Sequence, residues 1–138
     1  MVRAYAEKMD LHSLTCSKLF NIPYEDFSEE KQLWLQDNGH DKVLKEMSLK
    51  RRVAKVVNFL TGYGGGALGL QNVLAAQQIY LTLDECEEIV ESFFRNYPSL
   101  RDHIAYYKNF VQENALAVSL TGRVRLFPEV LSADRQIQ

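Results

Sequence analysis

The sequence predicts a mainly α-helical fold with one small β-hairpin near its C-terminal end. Three observations carry that expectation. Apolar residues recur at helical spacing, most regularly in Val53, Val56, Val57 and Leu60 and again in Cys86, Ile89, Val90, Phe93, Phe94 and Tyr97. Turn-forming residues separate these stretches: Asn21-Ile22-Pro23, Asn38-Gly39, Gly64-Gly65-Gly66 and Pro98. Residues 117–127 alone alternate, with Val118, Leu120, Val124, Leu126 and Phe127 flanking Thr121-Gly122.

The elements follow in chain order. A short helix is expected over 12–20, after Asp10. Residues 21–47 are the least regular part, although Ser28 with Lys31, Leu33, Trp34 and Leu35 fits another short helix, with Trp34 in a core or interface. A helix over 49–62 is expected to be capped by Ser48. Its apolar stripe is Val53, Val56, Val57 and Leu60, while Arg51, Lys55, Phe59 and Tyr63 recur every fourth residue on another side. At about 100° per residue a step of four drifts only about 40°, so these four share a slowly winding face. Gly62, Gly64, Gly65 and Gly66 end that helix, and another is expected over 67–76. Thr82 and Glu85 form a capping box for the next, which Pro98 closes. Ser99 opens the last helix, with Leu100, His103, Ile104, Tyr107, Phe110 and Val111 turned inward.

Bulk properties bound the function. A chain of 138 residues suits one domain, and 46% hydrophobic with 25% charged residues is an ordinary globular balance that argues against disorder. A net charge of −2 gives no whole-chain attraction to nucleic acid. Lys50, Arg51, Arg52 and Lys55 are nonetheless clustered, and a local basic patch can meet phosphates because screening confines the field to about 10 Å at 0.1 M salt. Cys16 and Cys86 lack CxxC or metal-ligand spacing, which suits a reduced intracellular protein. No apolar run approaches a membrane span and no signal peptide stands at the start, so a cytoplasmic location without membrane contact is expected.

Several constellations invite chemistry. Gly64-Gly65-Gly66-Ala67-Leu68-Gly69 fits GxGxxG, but that dinucleotide pattern has meaning only between a strand and a helix, and here it follows a helix. Cys86 and His103 would make a nucleophile and base only if both left the core stripes they occupy. Glu85, Glu87, Glu88 and Glu91 read as a solvated helix face, with no histidine or aspartate to complete a metal shell. Arg51, Lys55, Phe59 and Tyr63 are more specific. A forked cation and a point charge near a helix start suit polyphosphate, and two rings further along suit a sugar or base. The competing reading is a solvated basic face whose aromatics pack on a neighbour.

The wording of this helix adds a family resemblance. Arg51-Arg52-Val53-Ala54-Lys55-Val56-Val57-Asn58-Phe59 followed by Tyr63-Gly64 resembles the R-x₃-K-x₃-F/Y-x₃-Y-G motif of family A DNA polymerases. Asp10-Leu11-His12-Ser13-Leu14-Thr15 looks like the family's D-x-H-x-x-T/A segment, and Phe93-Phe94-Arg95-Asn96-Tyr97-Pro98 like its F-F-x-x-Y-P helix end. Thr121-Gly122-Arg123-Val124-Arg125-Leu126-Phe127-Pro128 is similar to its T-x-x-G-R-R-x-x-x-P hairpin with a shortened turn. The four segments occur in the family's order across roughly residues 1–130.

The resemblance implies a multi-helix fingers subdomain with a small β-hairpin, a single partial polymerase domain over 1–138 with flanking palm segments at 1–20 and 115–138. It implies that Arg51 holds the γ-phosphate of an incoming dNTP, Lys55 lies against the α-phosphate and leaving pyrophosphate, and His12 reaches the β-phosphate. Arg51 and Lys55 would be the catalytic pair. Phe59 would pack on the deoxyribose, Tyr63 would stack near the templating base or hold its place before closure with Gly64 keeping that approach open, and Arg123 and Arg125 would contact primer–template backbone. Leu60 departs from the glycine common after the sugar-facing aromatic, and the 24–48 connection is longer than usual. The family's D-Y-S-x-x-E and H-D-E motifs are missing, and with them the aspartates that hold two Mg²⁺ ions. The expected partners are therefore dNTP, primer–template DNA, and other polymerase fragments or subunits carrying those aspartates. The isolated chain is expected to be inactive: a split-gene product, a truncation or a relic, with a phage lineage suggested by the long connection and glycine run. A non-catalytic nucleic-acid-binding module and a helical interaction domain with Phe59 and Tyr63 buried are the alternatives.

Overall fold

Capped helices build most of the chain. The computed structural model describes residues 6–131, and contacts divide the protein into two units, Met1–Asn96 and Tyr97–Gln138. The outer ends of the two expected palm segments, 1–5 and 132–138, lie outside the described residues. In the first unit, α1 (Leu11–Phe20) begins where the Asp10 carboxylate accepts the His12 backbone N–H. It ends at Asn21, whose φ of 57° lets the Ile22 N–H reach the Ser17 carbonyl at 3.1 Å. A short 3₁₀ turn (Tyr24–Phe27) leads into α2 (Glu29–Asp37), capped by the Ser28 hydroxyl, which accepts from the Lys31 N–H.

The region read as irregular up to residue 47 is more ordered than expected. α3 runs from Asp41 to Gly62, 22 residues, so Ser48 lies inside it and caps nothing. Two facts explain the extension. Residues 41–48 contain neither glycine nor proline, and buried Met47 carries the apolar stripe back about two turns from Val53 and Ala54. The expectation for Trp34 also fails as far as the core is concerned. Leu35 is the buried residue of α2, and Trp34, about 100° round the helix, is 52% exposed. Its ring stacks on His40 at 5.7 Å and carries the Lys31 ammonium 4.8 Å from its centroid.

α3 stops in a tight capping turn. Gly64 at φ 76° allows its own N–H to bond the Thr61 carbonyl and the Gly65 N–H to bond the Leu60 carbonyl, at 3.0 and 2.9 Å. α4 (Ala67–Ala76) follows with the predicted bounds. α5 (Leu83–Asn96) starts with the predicted capping box: the Thr82 hydroxyl accepts from the Glu85 N–H, and the Glu85 carboxylate accepts from the Thr82 N–H. The core is made by α1, α3, α4 and α5, with Cys16, Val57, Leu70, Leu74, Cys86 and Phe93 fully buried. Each large apolar side chain sealed there contributes about 1.5–3 kcal/mol.

In the second unit, α6 (Pro98–Asn114) opens one residue earlier than expected, with proline in the first turn where a missing N–H is harmless. It leads into a two-stranded antiparallel hairpin, β1 (Leu116–Val118) and β2 (Val124–Leu126), in the register Leu116↔Leu126 and Val118↔Val124. The expected inward stripe of α6 is not sealed: no residue of this helix is buried, and His103 and Tyr107 are exposed. Strands of three residues are too short to cover a helix of 17 within this unit.

Leu60 and Gly65 make a sharp packing test. A Cβ on Gly65 would stand 2.5 Å from Leu60 Cγ and 3.0 Å from the Leu60 carbonyl oxygen. Gly65→Ala should therefore cost about 1–3 kcal/mol in urea denaturation. Combined with Leu60→Ala, the loss should be smaller than the sum of the single losses, because the clash is partly shared.

Candidate functional site

The winding face predicted on α3 is real. Phe59 is 54% and Tyr63 88% exposed, and Lys55 is also exposed. Burial of both rings, which a purely structural role required, does not occur. Exposure increases along the helix because the face turns away from α1 as it winds. At its start Arg51 points to α1; further along, Lys55, Phe59 and Tyr63 line a cleft of about 510 Å³ with Arg52, Val73 and Gln77. The glycine run that follows joins two helices, α3 and α4, so the setting a dinucleotide fingerprint needs is missing.

One feature of the expected site is corrected. Arg51 and Lys55 do not lie near a helix N-terminus, since α3 begins ten residues before Arg51. Ten residues span about 15 Å, well beyond the first turn where the helix dipole acts. Any attraction for anions at this face therefore comes from the side chains themselves.

The basic cluster is divided by its partners. Lys50 pairs with Glu46 at 2.7 Å, one turn back on the same helix. Arg51 Nη2 and Nε donate to Asp10 Oδ2 at 2.7 and 3.2 Å, and Nε also reaches Ser13 Oγ at 3.1 Å. The Ser13 hydroxyl in turn donates to Asp10 Oδ2 at 2.6 Å. Among the described residues no carboxylate pairs with Arg52 or Lys55. The face thus presents one cation already docked on α1 and two available at the cleft.

His12 joins this face from α1. Its ring lies 5.7 Å from that of Phe59, tilted by 45°, and its Nδ1 is 3.1 Å from Asn58 Nδ2. The Asn58 amide oxygen accepts from the buried Thr15 hydroxyl at 3.0 Å. Burial lowers the His12 pKa below 6.5; the Asp10 charge opposes this, while Arg51 and Lys55 push it further down. For Asp10, burial works against the charged form. The hydrogen bonds from Ser13 and Arg51, the Arg51 charge and the His12 backbone N–H together outweigh it and hold the carboxyl below 3.8.

The two cysteines are inert by the same reasoning. Burial pushes the Cys16 thiol up to about 11 despite the cations of Lys50 and Arg51, and burial with the Glu85 charge raises Cys86. His103 is exposed against Tyr107 rather than set in a core stripe. Glu85, Glu87, Glu88 and Glu91 are all exposed. Among the described residues no three His, Cys, Asp or Glu side chains cluster as a metal site would require. Asp10, held by Arg51, Ser13 and its own helix cap, does not fit that role. The residues described here do not suit a two-metal centre.

In the second unit, Arg123 and Arg125 are both exposed on the hairpin, and the Arg125 guanidinium lies 4.9 Å from the Phe127 ring. Gly122 at φ 84° forms the turn, and the Arg123 N–H donates to Ser119 Oγ at 3.0 Å. Asp10, Ser13 and Asn58 are the site members that side-chain spacing did not single out. A polar Asn58 between buried Val57 and ring-bearing Phe59 was the available signal.

This helical face combines a docked arginine, two cations with no carboxylate partner among the described residues, the His12 imidazole and two open rings. The chain belongs to DNA polymerase family A, whose sequence profile matches residues 1–138. DNA polymerase I of Mycobacterium leprae (strain TN) is 28% identical over 138 residues, all of this chain and 12% of that protein. DNA polymerase I of Rhizobium leguminosarum is 24% identical over the same length, 11% of its own. The DNA polymerase of Bacillus phage SP01 is 26% identical over 131 residues, 95% of this chain and 12% of that one. The chain therefore spans only 11–12% of the length of these relatives. The fold matches the POL domain of Pol1 from M. smegmatis, solved in complex with DNA primer-template and dNTP. The TM-score is 0.71 at 24% identity, over 99% of this chain and 20% of that one.

Two measurements test the electrostatics. Asp10→Ala removes a helix cap and the Arg51 partner together, and should cost about 1–2 kcal/mol by urea denaturation. Protonation of His12 and of Asp10 are both disfavoured by folding. Their contributions to stability are present above the unfolded values of 6.5 and 3.8 and are lost as pH falls through the lower folded values. An NMR titration should find His12 with a midpoint below 6.5; a midpoint above it would contradict the described environment.

Proposed function

We propose that this chain is the nucleotide- and template-binding part of a DNA-directed DNA polymerase acting in DNA replication. Residues 1–20 and 115–138 would form flanking palm segments around the fingers helices. The observation that carries the reading is the winding face of α3, on which Arg51, Lys55, Phe59 and Tyr63 follow one another beside the His12 ring. In this arrangement Arg51 grips the γ-phosphate with its fork, His12 donates to the β-phosphate, and Lys55 lies against the α-phosphate and the departing pyrophosphate. Phe59 packs on the deoxyribose, and Tyr63, turned fully outward, meets the templating base with Gly64 keeping the approach open. Arg123 and Arg125 neutralise primer–template phosphates.

The Asp10 contact does not oppose this assignment. A part-exposed ion pair is worth roughly 0–1 kcal/mol, whereas charge-assisted bonds to a phosphate are about twice as strong as neutral ones. Arg51 can therefore exchange a single carboxylate for a triphosphate at small cost. Family A polymerases use divalent metal ions, and the Mg²⁺-binding carboxylates would come from another segment or subunit. The chain alone is accordingly expected not to extend primers. A cytoplasmic location fits a replication enzyme, and no helix among the described residues is long and apolar enough to cross a membrane.

Reconstitution is the direct experiment. Polypeptides carrying the D-Y-S-x-x-E and H-D-E motifs are added, and primer extension is measured. Lys55→Ala and Arg51→Ala should each reduce dNTP-dependent extension at least about tenfold, as loss of charged hydrogen bonds of about 1.5–3 kcal/mol requires. Extension unaffected by Lys55→Ala would remove Lys55 from the assigned role. DNA binding without dNTP dependence would favour a non-catalytic nucleic-acid module.

A further inference from the structure

If His12 contacts a phosphate, the ring must show that phosphate a hydrogen. Phosphate oxygens only accept, and neutral imidazole has one N–H and one bare nitrogen. The wrong tautomer would set a lone pair against an anion. Something in the protein must choose between the two nitrogens, and the choice is made on the side of the ring that the ligand does not see.

Asn58 occupies that side. Its Nδ2 stands 3.1 Å from His12 Nδ1, and its Oδ1 receives the Thr15 hydroxyl at 3.0 Å. Thr15 is fully buried on α1, so its hydroxyl is held against α3 rather than in solvent. With the Thr15 hydroxyl donating into Oδ1, the other end of the amide faces the imidazole. The end that faces it is an NH₂, which can only donate. Nδ1 must then be the bare nitrogen, and the proton resides on Nε2, across the ring from Asn58.

We infer that Asn58 is a positioning residue for the nucleotide site: through its Thr15-oriented amide it locks His12 in the Nε2–H tautomer and so presents a neutral hydrogen-bond donor to a triphosphate. The inference rests on the proposed reading of His12 as a phosphate contact. The same amide opposes the imidazolium form, since a protonated Nδ1 would face a second donor. The charged groups around the ring are Asp10, Arg51 and Lys55, and the two cations act in the same direction. The contact to phosphate is thus a neutral donor between two cations, a supplement to their charge. Phe59, whose ring lies 5.7 Å away, adds a second constraint on the imidazole plane. One helix, α3, therefore both carries the cations and aims the imidazole supplied by α1.

The test uses the whole chain and inorganic tripolyphosphate as probe. Long-range ¹H–¹⁵N NMR of the imidazoles above the His12 midpoint reports the tautomer, and calorimetry reports affinity. In the unmodified chain His12 should be in the Nε2–H form. Asn58→Asp keeps the shape but replaces the donor with a carboxylate, and should move the proton to Nδ1. Asn58→Ala should weaken tripolyphosphate binding by about 3- to 10-fold, the range for one net hydrogen bond. Thr15→Val should reproduce the loss in part, and Thr15→Ser, which keeps the hydroxyl, should not. The backbone amide spectrum of each variant verifies that it is folded. An Nδ1–H tautomer in the unmodified chain, or a tautomer indifferent to Asn58→Asp, overturns the inference. Tripolyphosphate affinity unchanged by His12→Ala overturns instead the phosphate reading beneath it. The two failures are distinguishable because in the second the tautomer still answers to Asn58.

Discussion

The contact between α1 and α3 is the constraint on which the site depends. Small side chains on α1 (Ser13, Thr15 and Cys16) are buried on the helix that shares its largest interface with α3. On α3, Ala54 and Val57 are sealed completely. Small residues let two helices approach closely, and close approach brings polar groups within bonding distance at the rim. Asp10 and Ser13 then reach Arg51, and Thr15 and His12 reach Asn58. The apolar part of the interface sets the distance; the polar rim sets the orientation of the groups that face solvent.

This division explains why the functional face is ordered at one end and open at the other. Arg51 is tied to α1 by hydrogen bonds to Asp10 and Ser13, and His12, on α1, is tied to α3 through Asn58, with burial lowering its pKa. Lys55, Phe59 and Tyr63 wind away from α1 toward the cleft shared with α4, and Tyr63 ends almost wholly in solvent. The capping turn at Gly64 and Gly65, closed by Leu60 packing over Gly65, holds α3 and α4 in the relation that forms the cleft. Leu60, which departs from the family's usual glycine, is accommodated by that bare glycine backbone.

The second unit follows a different logic. Its helix has no buried residue, and its hairpin is only three residues wide on each strand. Exposed Tyr106 and Tyr107 and half-buried Phe110 form a ring series on a helix without a sealed core. Periodicity identified an apolar side of α6 correctly as a pattern, but a pattern becomes a core only where another element covers it.

Local chemistry made much of this protein legible from its sequence. The Thr82–Glu85 capping box, the helix over 67–76, the stop at Gly62 to Gly66 and the spacing of Arg51, Lys55, Phe59 and Tyr63 all rest on contacts within a turn or two of the chain. Short-range rules reach that far. They did not reach the start of α3, where ordinary helix formers and buried Met47 extended the helix past Ser48, nor the exposure of Trp34, which depends on which side of α2 finds a neighbour. Tertiary structure alone decided the partners of Asp10, Thr15, His12, Arg51 and Asn58. Their pairings cross 38 to 46 residues of sequence, and no local spacing encodes a hydrogen bond that exists only once two helices have packed.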